Sequence, residues 1–142
     1  MPMPETTRTR PGTMRFSQAL QYRLPLAAFV SFLHRAAGAL IFLLLPFVVW
    51  LFDASVTSEV SYERFRSAFD AGLGGLPAWF VKLVALGLVW AYLHHFVAGL
   101  RHLWMDVTHQ VTRQAGHASA VATLAVSLPL TALFGARLFG LY

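Results

Sequence analysis

Cysteine is absent from this chain of 142 residues. Disulfides, thiolate metal sites and iron–sulfur ligation by its own side chains are therefore excluded, and any such cluster would belong to a partner. Charge is scarce as well: 12% of residues are charged and 57% are hydrophobic, the balance of a membrane protein. A cleavable signal peptide is not expected. Residues 1–24 carry Arg8, Arg10, Arg15 and Arg23 among Pro2, Pro4 and Pro11, with no continuous apolar core, and read as a soluble, partly disordered tail. The first apolar run is too long for an h-region and is followed by no small-residue cleavage site. Net charge is +5, but it is neither clustered nor interleaved with aromatics as a nucleic-acid surface would be. A dinucleotide motif is also missing, so the chain by itself is not expected to be an enzyme.

What is present is apolar sequence in three long runs, over residues 26–52, 76–100 and 118–140. Each exceeds the roughly 20 residues needed to cross a bilayer. The expected fold is all-α: an integral membrane domain over residues 25–142 with three transmembrane helices. Pro25 suits the first turn of the first span, and Pro46 and Pro129 lie within spans, where membrane helices tolerate them. Trp50, Trp79 and Trp104 fall near the expected interfaces. Between the first two spans, Tyr62, Phe65 and Phe69 recur at helical spacing. Ser61–Phe69 is expected as a short amphipathic helix lying on the membrane surface.

Orientation is read from Arg and Lys. The tail arginines, with Arg101 and Arg113 assigned to the second connection, outweigh Arg64 and Arg66, which are offset by Asp53, Glu59, Glu63 and Asp70. The positive-inside rule then places the N-terminus in the cytoplasm and the C-terminus outside.

Two polar constellations interrupt the apolar spans. In the first, Ser31, His34 and Arg35 share a face near the start of helix one. Arg35 lies roughly 13 Å along the axis from Leu26. It either snorkels to the surface or finds an anionic or carbonyl partner. The second is His95-Phe-Val-Ala-Gly99-Leu-Arg101-His102-Leu-Trp-Met-Asp106, in which His95, Gly99, His102 and Asp106 recur on one helical face. An imidazole inside a membrane is costly and by default marks a functional site. A ligating nitrogen, a glycine that clears space for a flat ring, and cations near the surface for propionates are what a haem requires. His94 points about 100° away from His95. Spacing favours His95 as the ligand, and a histidine that only packs against a neighbouring helix is the alternative.

Together, Ser31-Phe-Leu-His34-Arg35 and the run from His95 to Asp106 resemble the cytochrome b subunit of succinate dehydrogenase, over the whole chain and in order. The resemblance implies that His95 is an axial ligand of haem b iron. It implies that Ser31 and Arg35 line the ubiquinone pocket, that His34 and Arg35 lie near the haem propionates, and that Gly99 borders the ring. His102 and Asp106 match the motif without an assigned role.

The family further implies a heteromeric, haem-enclosing bundle in the bacterial inner membrane. The haem would be shared with a second small anchor subunit, and an iron–sulfur subunit and a flavoprotein subunit would supply electrons from succinate. A haem-free transporter or proton-path subunit using Arg35, His95 and Asp106 is the rival reading; it predicts a colourless protein. His109 and His117 are expected at the surface.

Overall fold

The computed structural model describes residues 12–13 and 22–142. The expectations for the tail that rest on Arg8, Arg10 and Arg15 fall outside the described residues. Four helices follow one another: α1 (Leu26–Val56), α2 (Glu59–Asp70), α3 (Ala78–Thr108) and α4 (Arg113–Leu138). Three of them, α1, α3 and α4, are long and apolar enough to cross a membrane. No strand occurs among the described residues. The expected all-α membrane fold is what the chain adopts.

Pro25 stands at the N-cap of α1, just before the first turn, and Pro46 and Pro129 lie inside helices that continue past them. At the far end of α1 the chain turns sharply into α2, which a capping box closes. Ser58 Oγ accepts from the Ser61 amide at 3.1 Å, and Ser61 Oγ accepts from the Ser58 amide at 3.0 Å. The amphipathic helix is thus slightly longer than the aromatic spacing indicates. Its inward stripe also differs: Phe65 and Phe69 are half-buried, but Tyr62 is exposed.

A tight turn, Leu73-Gly74-Gly75-Leu76, leads on to α3. Leu73 and Leu76 exchange amide-to-carbonyl bonds of 3.0 and 2.9 Å across it. Gly74 and Gly75 have φ of +56° and +87°, which a two-residue turn of this kind demands and side chains oppose.

α3 runs beyond the apolar stretch to Thr108 and ends on His109 in the left-handed conformation. Thr112 then caps α4, accepting from the Ala115 amide at 3.2 Å. The second connection is therefore only residues 109–112. Arg101, read from sequence as part of that connection, belongs to α3 and is buried.

The core is small. Val30, Ala98 and Ala120 meet at its centre, with Leu26, Ala27 and Leu124 around them. Small residues let α1, α3 and α4 approach closely, which is how membrane helices gain packing where lipid is as apolar as leucine. Large side chains point outward instead; Phe42 and Leu43 are about three-quarters exposed, at 75% and 74%. Such a surface suits lipid or a further subunit.

Candidate functional site

The site is built where α1 and α3 cross near the start of α1. The helical repeat of α3 brings His95, Gly99 and His102 to the side that faces His34 of α1. The His95 ring stacks on His34 with centroids 4.3 Å apart and planes 13° from parallel. His102 approaches the same His34 ring at 5.1 Å and 41°. Three imidazoles are thereby gathered from two helices.

His95 Nδ1 lies 3.0 Å from the backbone carbonyl oxygen of His34. A carbonyl can only accept, so Nδ1 carries the proton and donates, leaving the lone pair on Nε2.

Gly38 makes this contact possible. In an α-helix the carbonyl of one residue points toward the residue four further on, here from His34 toward Gly38. A Cβ on Gly38 would lie 2.6 Å from His95 Cε1 and 2.9 Å from Nδ1, a collision with the ring. At Gly99 a Cβ would meet only His34 Nε2, at an ordinary 3.6 Å. Sequence reasoning singled out Gly99 as the gap for a flat ring and missed Gly38, which clears the His95 imidazole. The signal available was its position, one turn beyond His34 and two beyond Ser31 on the same stripe.

Ser31 and Arg35 continue this polar stripe on α1. Ser31 is half-buried and Arg35 exposed, with Arg35 Nε donating to the Ser31 carbonyl at 3.4 Å. That long bond leaves most of the guanidinium donors uncommitted. Asp106 lies further along α3, exposed, and forms no ion pair among the described residues. The structure therefore joins His34, His95 and His102 in one cluster, sets Ser31 and Arg35 on the adjoining turn, and leaves Asp106 outside. His109 and His117 are exposed, as expected.

His94 goes elsewhere. It is fully buried, stacks on Trp90 at 5.4 Å and reaches toward Ser127 of α4, its Nδ1 3.5 Å from the hydroxyl. Its Nε2 is buried without a partner. Enclosed on all sides by helix packing, it has no room beside it for a flat macrocycle.

One turn further from Ala98, Arg101 Nε donates to Ser119 Oγ at 2.9 Å and Nη2 to the Gly116 carbonyl at 3.4 Å. These contacts tie α3 to the first turns of α4. Neither His94 nor Arg101 touches the imidazole cluster through a hydrogen bond among the described residues.

The donor set fits an axial haem ligand. Histidines that bind metal almost always donate their second ring N–H to a carbonyl, carboxylate or water, and His95 does so to His34. No group of three or more His, Asp or Glu among the described residues is arranged to hold a bare metal ion. His34 and His95 cannot serve as a ligand pair as they stand. Their rings stack face to face with centroids 4.3 Å apart, so their in-plane lone pairs do not converge and no space is left between the rings for an iron.

Comparison with known proteins places the chain among relatives of one kind. A family model described as the succinate dehydrogenase/fumarate reductase transmembrane subunit matches residues 7–134. The chain is 32% identical to the succinate dehydrogenase cytochrome b556 subunit of Paracoccus denitrificans over 123 residues, 86% of this chain and 89% of that protein. It is 28% identical to the protein of the same name from Coxiella burnetii over 115 residues, 81% and 87% of the two.

Proposed function

This chain belongs to the succinate dehydrogenase/fumarate reductase transmembrane subunits, and from that premise we propose that it anchors a succinate dehydrogenase, binds haem b and helps form the site of ubiquinone reduction. The observation that carries the reading is the His95–His34 contact, which fixes the His95 tautomer beside the polar stripe of α1. His95 Nε2 would hold the iron, and the haem would be shared with the second anchor subunit. His34 and Arg35 would hold the propionates. When bound, the haem would supply a one-electron redox centre.

The chain's own residues act on the quinone. The Ser31 hydroxyl donates a hydrogen bond to a quinone carbonyl, orienting the head group. Arg35, with free donors beside it, stabilises the negative charge that gathers on the quinone oxygens as electrons arrive. Electrons come from succinate through a flavoprotein subunit and an iron–sulfur subunit docked on the N-terminal face of the anchor. Since this chain lacks cysteine, all cluster ligands belong to those partners. The reading places the complex in a bacterial inner membrane with this chain's N-terminus in the cytoplasm.

Ser31→Ala and Arg35→Leu test it in the assembled complex. Succinate oxidation with a soluble dye should survive both, while ubiquinone reduction falls, more steeply for Arg35→Leu because a charge is lost. Equal loss of both activities would mean that these residues hold the assembly together and do not touch the quinone.

A further inference from the structure

Far from the imidazole cluster, at the opposite ends of α1 and α3, helix α2 roofs a cavity of about 420 Å³. Trp50 of α1, Phe65 and Phe69 of α2 and Val84 of α3 form much of its wall, and Ser61 and Arg64 are its polar lining residues. The Ser61 hydroxyl is already committed to the capping box with Ser58. Arg64 is exposed and forms no ion pair among the described residues, while its neighbour Arg66 leans on Asp70 at 3.7 Å. One uncommitted guanidinium therefore stands at the rim of an otherwise apolar hollow.

The chemistry of this hollow selects its occupant. Water is held poorly by walls that offer few hydrogen-bond partners, whereas methylene groups fill such space well. The cavity sits at the level where an interfacial helix meets two spanning helices, so its mouth lies at head-group height. A guanidinium there pairs with phosphate.

We propose that this cavity binds an acyl chain of an anionic phospholipid, whose phosphate is held by Arg64. The lipid wedges α2 against α1 and α3 and stiffens the end of the molecule opposite the polar site. The site is independent of the haem and quinone reading.

Native mass spectrometry of the detergent-purified complete complex tests it, using phosphatidylglycerol and phosphatidylcholine as probes. The unaltered complex should retain phosphatidylglycerol about fivefold better than phosphatidylcholine, as one arginine at an anionic surface allows. Ala68→Trp, or Ala85→Leu from α3, should fill the cavity and remove that lipid adduct while the mass of the complete complex reports an intact assembly. Arg64→Gln should keep a lipid but lose the preference, and Arg64→Lys should restore most of it. Equal retention of both lipids by the unaltered complex would overturn the proposal, as would an adduct unchanged by either filling variant. The same holds if the retained molecule is a quinone, or if both filling variants split the complex, which would make the cavity a seat for a partner's side chain.

Discussion

Two adjacent histidines, His94 and His95, have opposite surroundings because one residue of helix is a rotation of about 100°. His95 turns toward α1 and an anchoring carbonyl; His94 turns into the packed seam with α4. His95→Ala should abolish the reduced b-type absorbance band of the assembled complex. His94→Ala should preserve the band but lower thermal stability by about 1–3 kcal/mol, since it empties a packed site and strips a partner from Ser127. If His94→Ala removed the band and His95→Ala did not, the ligand assignment would be wrong. Gly38 offers a sharper contrast. Gly38→Ala drives a methyl into the His95 ring and should cut haem content, whereas Gly99→Ala meets only an ordinary contact within the chain, so any haem it loses reports crowding of the flat ring itself. Haem content and spectrum unchanged by Gly38→Ala would show that the His95 ring is not held by α1.

At the scale of elements, α4 is joined to α3 by a polar tie at its beginning and by small residues along its length. Arg101 donates to Ser119 and Gly116, while Ala120, Thr123, Ser127 and Gly135 are the buried positions facing inward. Thr123 and Ser119 return their hydroxyl protons to carbonyls one turn back, so the seam contributes few stray donors. Arg101 Nη1 already lacks a partner. Ser119→Ala would leave a second buried donor bare and should destabilise the subunit by about 1–3 kcal/mol, measured as earlier loss of the haem signal on heating. A melting curve unchanged from the parent would mean that Arg101 finds another acceptor and that the tie is dispensable. The short α2 rests on a different device, a capping box and a two-glycine turn, which let an interfacial helix leave and re-enter the bundle within a few residues.

For the whole molecule, the three long helices put the start of α1, the end of α3 and the start of α4 on one side, and α2 on the other. The imidazole cluster with Ser31 and Arg35 shares its side with the residues that lead into α1. A reporter fused after Tyr142 should be active only outside the cytoplasm; activity confined to the cytoplasm would reverse the charge argument and move the quinone site to the outer face. The small core and the broad apolar exterior leave a large surface for lipid and the other subunits of the complex to cover. The lipid cavity beneath α2 adds a fixed element to that surround.

Spanning helices were legible in the residues because a bilayer imposes a length and a composition that no folding detail can waive. The site face was legible too: His95, Gly99 and His102 recur with the helical period, and Ser31, His34 and Arg35 do the same on α1. Periodicity gives a face but no partner. Only the crossing of α1 over α3 revealed that the His34 carbonyl anchors His95, and that Gly38 clears the space its ring occupies. Only the packing of α4 removed Arg101 from the surface and sealed His94 in the core. These are contacts between residues distant in sequence, decided by which helices touch and how closely, and side-chain spacing within one helix carries no record of them.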